Sequence, residues 1–458
     1  MYSHSMNLSE QALLDDLHSE RRGRARGASV WSCVINLAST CTGTGMLALP
    51  AAFHAAGLTA GSLLCVAAAA CQLLSLHLLE RASATCRRRW QAAAVDPFAE
   101  APQVTFFTLA EAALFAGAGK LIDLAILLNC LGGGVISYLI VAADCFSALG
   151  LARHVCVLIS TLLVAPACYF RSLDSLKVTS AVSVLVLLAI GALILGFCIS
   201  RGIDWLDPCP DNQHPNGHCG ATVTFGANRA LPIFCTLPIF VNAFTCQQNF
   251  LSVLAELDTP TQARRTRVVL LAPVLPLALY LTVATAGYWT FGHTIRSNVI
   301  SNYPDTPLTA AVRIALGVVV LCNVPLQLYP SRVSFKTVVG SCAAPPTPSP
   351  PSPPTRSRVG TPLPPTPPLS ATGASAAAPR SLFLTERLDL WITTVFLALS
   401  ASVALALTDL GEVVALIGST GATLLGLITP AASCVPRSRS GFDRGLFSWS
   451  ESLGEVDF

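Results

Sequence analysis

Residues 30–50 read Val-Trp-Ser-Cys-Val-Ile-Asn-Leu-Ala-Ser-Thr-Cys-Thr-Gly-Thr-Gly-Met-Leu-Ala-Leu-Pro. This run is long and apolar enough to cross a bilayer as a helix, yet Gly43 and Gly45 flank Thr44 in its middle. Two glycines weaken the helix at a depth where lipid penalises free backbone groups, so the break is tolerated only where it faces a cavity or a ligand. A plain membrane anchor has no use for such a break, and we interpret it as the sign of a membrane transporter.

The composition agrees with a membrane protein. The chain has 458 residues, of which 53% are hydrophobic and 12% are charged, and its mean hydropathy is +0.61. Soluble domains have about 25% charged residues. The composition therefore predicts a polytopic protein whose partner is the lipid bilayer, and the small net charge of +3 gives no reason to expect nucleic acid. No cleavable signal peptide is predicted, because the residues before Val30 are polar.

Ten apolar segments of bilayer-spanning length follow one another along the chain. They cover residues 30–52, 58–79, 121–143, 155–169, 178–200, 231–254, 268–291, 308–329, 388–407 and 411–432. If they form two halves of five, the first and sixth correspond, and the sixth contains Pro232, Pro238 and a polar run from Asn242 to Asn249. Because each half has an odd number of spans, the second would be inverted relative to the first. We expect an all-α membrane protein of about ten transmembrane helices in a five-plus-five inverted repeat, with broken first and sixth helices.

Positive residues predict the orientation of the chain. The amino terminus and every second loop after it hold clusters of arginine or lysine, whereas the opposite loops hold scattered cations. The clusters are Arg21, Arg22, Arg24 and Arg26; Arg81, Arg87, Arg88 and Arg89; Arg171 and Lys177; Arg264, Arg265 and Arg267; Arg332 and Lys336; and Arg437 and Arg439. Residues 1–28 and 436–458 are thus predicted to be cytoplasmic tails around a transporter domain at residues 29–435.

Two loops have distinctive compositions. Residues 340–385 include a stretch rich in Pro, Ser, Thr and Ala, which predicts a disordered cytoplasmic loop, with an SH3-type ligand as the alternative reading. The loop at residues 202–228 faces the other side and contains Cys209 and Cys219, for which we predict a disulfide. The nearby His214 and His218 fit no zinc-finger spacing, so no metal site is predicted.

Other glycines in the spans have a simpler interpretation. Gly132, Gly133 and Gly134 are consecutive, and Gly418 and Gly421 lie in the last span. Small residues let helix backbones approach each other, so we predict close helix packing at these positions.

The ordered motifs resemble the amino acid/auxin permease family. Residues 36–50 resemble its opening N-L-x-N-x-x-x-G-x-G-I-L-x-L-P, as in its sodium-coupled neutral amino acid transporters. Residues 237–249 resemble its sixth-span L-P-I-x-x-F-A-F-x-C-H-x motif, in the form of its fungal vacuolar members. Further similar segments are residues 287–292, 298–304 and 324–332. The resemblance extends over about residues 30–430.

The resemblance implies where an amino acid would bind. Its carboxylate would meet the first break, where helix amino ends present N–H groups and the positive end of a dipole. Its ammonium group would meet backbone carbonyls of the sixth span. The implied substrate-binding residues are Thr42, Gly43, Thr44, Gly45, Val241, Asn242 and Phe244.

The resemblance also implies a coupling-ion site, made by Ser39, Thr40 and Asn323. Ser39 and Asn323 stand where sodium-coupled relatives have Asn and Thr, and both retain oxygen ligands. The sixth-span His of the family is Gln247 here. Asp123, Asp144, Glu256 and Glu412 all fall near span ends, which argues against a buried carboxylate for protons. Sodium or protons are both kept as coupling ions, and no other cofactor is expected.

These observations predict a secondary active transporter of amino acids that works by alternating access. Neutral substrates are favoured because no charged residue lies near either break. The chain shows no catalytic cluster and no phosphate-binding loop, so an enzyme is not predicted. The alternative is a membrane amino acid sensor that binds its ligand without significant flux. The membrane is predicted to be vacuolar or lysosomal, or the plasma membrane.

Overall fold

The structure is a computed structural model that describes residues 28–93, 104–113, 117–147, 150–169, 176–199, 223–226, 230–343, 378–407 and 409–430. Within these residues the regular structure is helical, apart from one isolated bridge between Ala28 and Leu257. This confirms the all-α class. Most of both tails, the predicted Cys209–Cys219 disulfide and most of the proline-rich loop lie outside the described residues, so the predictions made for them stay predictions.

Fifteen α-helices make up the described part of the chain. They are α1 (Val30–Cys41), α2 (Gly45–Ala56), α3 (Leu58–Ala93), α4 (Phe106–Ala113), α5 (Ala118–Leu128), α6 (Ser137–Ser147), α7 (Arg153–Cys168), α8 (Leu176–Ile199), α9 (Ala230–Ala243), α10 (Gln247–Ala255), α11 (Gln262–Leu271), α12 (Val274–Phe291), α13 (Pro307–Ala343), α14 (Ala378–Ala406) and α15 (Leu410–Ile417). Wider π-helical turns join α5 to α6 and continue α15, at Asn129–Ile136, Gly418–Ala422 and Leu424–Ile428.

Length and hydropathy support a multi-pass membrane protein. Among the described residues, seven continuous helical stretches are long and apolar enough to cross a bilayer, and the pair α1 and α2 counts as an eighth. The axes of α1 and α2 differ by 55°, which confirms the predicted break in the first span. The fourth predicted span is α7, with 16 residues. The sixth is divided into α9 and α10 by residues 244–246.

Helix α3 extends far beyond the apolar segment that predicted it. The second predicted span ends at residue 79, whereas α3 continues to Ala93 and has 36 residues. A helix of that length measures about 54 Å, against about 30 Å of bilayer hydrocarbon. Hydropathy marks where the lipid ends rather than where the helix ends, and α3 therefore continues past it through its arginine-rich segment.

The glycines of the third and tenth spans lie at close helix contacts, as the sequence predicted. A Cβ on Gly134 would come within 2.6 Å of the Gln327 side chain, and one on Gly132 would overlap Ile417. A Cβ on Gly418 would overlap the backbone carbonyl of Pro238. Since no side chain fits there, the third and tenth spans approach α9 and α13 more closely than ordinary residues permit.

The two sides of the first break differ in packing. On the α2 side, large fully buried side chains fill the space, among them Met46, Phe53, Phe240 and Tyr288. On the α1 side lies a cavity of about 310 Å³, bordered by Asn36 and by residues of α10 and α13. The structure therefore has a closed side and a cavity-bearing side, and the cavity is on the side that the arginine pattern predicts to be cytoplasmic.

Candidate functional site

In the part of the chain that the structure describes, the first break leaves two backbone N–H groups without a partner. Helix α1 ends with the Thr42 N–H and hydroxyl both donating to Ala38 O, at 2.8 Å each. Gly43 N then donates to Cys41 O at 2.7 Å. Among the described residues the N–H groups of Thr44 and Gly45, at the start of α2, have no acceptor. Two such groups at a helix amino terminus are chemically suited to an anion such as a carboxylate.

The second break is more fully satisfied. Thr245 donates its N–H to Asn242 O at 3.1 Å and its hydroxyl to Val241 O at 2.8 Å. The carbonyl of Phe244 accepts from the Cys41 thiol at 3.7 Å. The carbonyls predicted to be free for an ammonium group thus already accept one hydrogen bond each. Each keeps a second lone pair, so their role toward substrate stays a prediction.

Tyr280 of α12 links the two breaks. Its buried hydroxyl lies 2.5 Å from Cys41 O and 2.7 Å from Ala243 O, so its single proton is shared between the last carbonyls of α1 and α9. Sequence reasoning missed this residue, because a tyrosine in an apolar span is equally well explained by packing. The useful signal is general: a buried tyrosine hydroxyl needs a partner, and a broken helix supplies one.

A small polar cavity of about 30 Å³ lies between the breaks. Such a volume holds about one water molecule. Its wall consists of Thr40, Cys41, Gly43, Thr44, Gly45, Asn129, Gly133, Gly134, Tyr138, Asn242, Thr245, Gln248 and Gln327. Of the predicted substrate residues, the structure thus brings together Gly43, Thr44, Gly45 and Asn242, while Thr42, Val241 and Phe244 are outside this wall.

Three carboxamide oxygens in this wall lack hydrogen-bond donors. Asn129, Gln248 and Gln327 are all buried, and Oδ1 of Asn129 and Oε1 of both glutamines have no partner among the described residues. An unsatisfied buried acceptor costs about 1–3 kcal/mol, so three in one cavity are a substantial penalty. A ligand with several N–H donors would remove it. The wall contains no Asp, Glu, Lys or Arg.

Two of the three predicted ion-binding residues, Ser39 and Thr40, lie just before the first break. The Ser39 hydroxyl is buried and has no partner among the described residues. Thr40 Oγ1 donates to Asn36 O at 3.0 Å and accepts from Asn249 Nδ2 at 3.3 Å. On α13, the Asn323 Oδ1 accepts from the Ser183 hydroxyl of α8 at 3.2 Å. Helix α8 packs against α1, which carries Ser39 and Thr40, and against α13, which carries Asn323.

The larger cavity of about 310 Å³ shares one residue, Gln248, with the small cavity. Its wall also includes Asp123, Asn249, Glu256 and Ser334. The exposed residues Thr105 and Ala255 form part of its rim. The larger cavity therefore connects the surface to the neighbourhood of the two breaks.

Comparison with known proteins shows which family the sequence matches. Residues 26–433 match the family described as transmembrane amino acid transporter protein. The chain is 29% identical over 420 residues to vacuolar amino acid transporter 6 of Saccharomyces cerevisiae, covering 88% of this chain and 89% of that protein. It is 27% identical to vacuolar amino acid transporter 5 of Schizosaccharomyces pombe, covering 88% and 84%.

A solved structure shows that the fold is shared more widely. The chain is similar to a sodium-coupled sialic acid symporter in its substrate-bound outward-open state, with a TM-score of 0.53 at 14% identity. The similarity covers 89% of this chain and 79% of that one. At this identity the likeness concerns the fold alone. The family match over most of the chain confirms the resemblance seen in the motifs, and the protein belongs to the transmembrane amino acid transporter family, a family of multi-pass membrane transporters rather than enzymes.

Proposed function

We propose that this protein is a secondary active transporter of neutral amino acids that works by alternating access and is driven by sodium or protons. The observation that carries the proposal is the small cavity, in which the free N–H groups of Thr44 and Gly45 share a wall with three unpartnered carboxamide oxygens. A carboxylate suits the N–H groups and an ammonium group suits the oxygens. Together they match the two charged ends of an amino acid.

Helix contacts support the five-plus-five inverted repeat as part of this proposal. Counting ten spans, α1 of the first packs against α8, the fifth, and α9 of the sixth packs against the tenth, which begins with α15. Likewise α2 of the first packs against the seventh, and α10 of the sixth packs against the second. Exchanging each span with its partner five places along converts one set of contacts into the other, as a repeat requires.

The walls of the small cavity support a neutral substrate. A charged side chain on the substrate would need a partner of opposite sign, since an isolated buried charge is far more costly than a buried hydrogen-bonding group. The cavity offers amides, hydroxyls and backbone groups instead. Its small volume in this conformation also favours small or medium side chains, for which the walls must separate least.

The packing around the breaks supports alternating access. The side of the breaks bearing α2 is filled by core residues, and the opposite side has the larger cavity. This is the arrangement expected of one end state, in which the site communicates with a single side of the membrane. From the relatives' names we propose the vacuolar or lysosomal membrane, with the plasma membrane as the alternative.

Transport by the purified full-length protein in proteoliposomes tests the function. We expect exchange of labelled alanine, serine or glutamine across the membrane, with glutamate and lysine exchanged at least tenfold more slowly. Protein-free vesicles and vesicles containing the Gly45→Val variant are the controls. Specific binding of alanine without any flux would show that the protein acts as a sensor and not as a transporter. Faster exchange of glutamate or lysine than of alanine would remove the neutral-substrate assignment while leaving transport in place.

A further inference from the structure

Asp123 is a buried carboxylate that the site described so far does not use. It lies on α5 and is 5% exposed. Its Oδ1 accepts from the Ser334 hydroxyl of α13 at 3.1 Å. Its Oδ2 is buried and has no hydrogen-bond partner among the described residues. The sequence placed this residue near the end of a span, and the structure adds that it is buried inside the protein.

The charged groups around Asp123 are engaged with other partners. On α4, the Glu111 carboxylate accepts from the N–H groups of Gly117 and Gly119, each at 3.0 Å. On α13, Arg332 donates to Thr393 and to Cys168 O, and Lys336 pairs with Asp389. The described residues show no ion pair to Asp123.

Other elements and the cavity add little charge near this carboxylate. The π-helical turns packed against α5 contain no charged residue. Lys120, on α5 itself, has an interaction of its own. Glu256 lies in the wall of the same cavity as Asp123, and the structure shows no direct contact between the two among the described residues. The Asp123 carboxylate is therefore uncompensated by any neighbouring cation in the part of the chain that the structure describes.

The position of Asp123 joins the surface to the substrate site. It lies in the wall of the 310 Å³ cavity, which shares Gln248 with the small cavity. Asn129, in the small cavity, is six residues further along the same span, which corresponds to about 9 Å. A proton or water molecule in the larger cavity thus has both Asp123 and Gln248, a residue of the small cavity, in the surrounding wall.

We propose that Asp123 binds and releases the proton that drives transport. This inference rests on the proposed function and selects the proton from its two coupling ions. A hydronium ion in the larger cavity transfers its proton to Oδ2: one O–H bond breaks, another forms, and water leaves. An unpaired ionised carboxylate is costly to enclose away from water, and protonation removes that cost. With an amino acid bound, closure around Asp123 is therefore favoured when the proton is bound, which ties proton movement to amino acid movement.

The test separates substrate exchange from proton-driven accumulation. Exchange of alanine inside for alanine outside needs no net proton movement, whereas accumulation needs the carrier to release its proton. With one proton per alanine, a gradient of one pH unit supports an accumulation ratio of about tenfold. We expect the wild-type full-length protein in sodium-free proteoliposomes to reach that ratio. Asp123→Asn, which has the shape of the protonated form, should keep exchange within twofold of wild type and accumulate no alanine.

Asp144→Asn is the matched control, because it makes the same change at the other end of the same span. The Asp144 carboxylate accepts from Arg153 at 3.3 Å and from Asn298 at 3.2 Å, so it already has a cation partner. This variant should still accumulate alanine with the pH gradient. Accumulation by Asp123→Asn equal to wild type would overturn the proposal. So would accumulation by wild type that follows a sodium gradient and ignores the pH gradient.

The variant Asp123→Glu provides a test if Asp123→Asn loses all transport activity. If Asp123→Asn also lost exchange, Asp123→Glu, which restores a carboxylate, should recover accumulation. Failure of Asp123→Glu in a protein that alanine still stabilises against heating would also refute the proton site. Absence of exchange of every amino acid by the wild type would instead refute the proposed function, so the two failures are distinguishable.

Discussion

Gly45 offers a sharp test of the first break, because one added carbon atom there meets backbone rather than a movable side chain. A Cβ on Gly45 would lie 2.8 Å from Ala243 Cα and 3.0 Å from Ala243 Cβ. Carbon atoms pack best at about 3.5–4.0 Å, so α2 and α9 would have to separate by roughly 0.5–1 Å. These are the helices that follow the first break and precede the second.

Overpacking of this kind costs about 1–3 kcal/mol. Every addition of about 1.36 kcal/mol to the barrier slows a reaction tenfold, so Gly45→Ala should slow alanine exchange by about five- to 150-fold if the whole cost adds to the barrier for exchange. Gly45→Val should abolish exchange, since a branched side chain also fills the space before the free N–H groups. Gly43→Val should act similarly, although a Cβ on Gly43 meets the Tyr138 hydroxyl, which can move.

The assay is the initial rate of labelled-alanine exchange in proteoliposomes with equal amounts of folded protein. Gly196→Ala is the control, because Gly196 is also helical but has open space where its Cβ would lie. It should exchange at the wild-type rate. Exchange by Gly45→Ala indistinguishable from that of Gly196→Ala would refute the close packing of α2 on α9 and the role of the first break.

Three further predictions concern other parts of the chain. Tyr280→Phe leaves the buried Ala243 O without its donor and Cys41 O with only the Gly43 N–H, so it should lower the free energy of unfolding by about 1–3 kcal/mol, seen as a lower melting temperature, and slow exchange; unchanged melting would contradict the link between the breaks. Asn129→Leu removes an unsatisfied oxygen at similar volume, so it should raise the alanine concentration that gives half-maximal exchange about tenfold without lowering thermal stability. An unchanged concentration would exclude this oxygen from the site. Cys209 and Cys219 should resist an impermeant thiol reagent added from the cytoplasmic side of oriented vesicles, and labelling of Cys219 there without reduction would reverse the topology.

The broken first span was predictable because its cause is local. The residues at the break are glycine, threonine and glycine, and α2 begins at Gly45. The interruption of the sixth span was also visible as a polar run within an apolar segment. The contacts across the breaks were not visible, because Tyr280, Asn129 and Gln327 lie in three other spans, and only the packing of those spans brings them together.

Asp123 shows why the burial of a residue is hard to obtain from hydropathy. The apolar run that predicted the third span begins at residue 121, which places residue 123 at its edge. In the structure α5 begins at Ala118, and α4 and α13 pack beside it. Burial of Asp123 comes from these neighbours and not from its own segment. Sequence periodicity contains no information about how far adjacent helices extend, so the burial of this carboxylate was not predicted, although its place near a span end agrees with the helical stretch Ala118–Ser147.

The two breaks leave different numbers of main-chain groups available to bind an amino acid. At the first, main-chain N–H groups are free among the described residues, so in the proposed site the carboxylate that every amino acid shares would meet groups that substitution cannot change. At the second, each carbonyl already accepts a bond from Thr245, Tyr280 or Cys41, so less of the main chain is available to the ammonium group. The unmet acceptors are instead side chains, Asn129 and Gln327 among them. Since side chains are replaceable without disturbing the breaks, changes at these positions should alter which amino acids are accepted, while the carboxylate site proposed at Thr44 and Gly45 should remain.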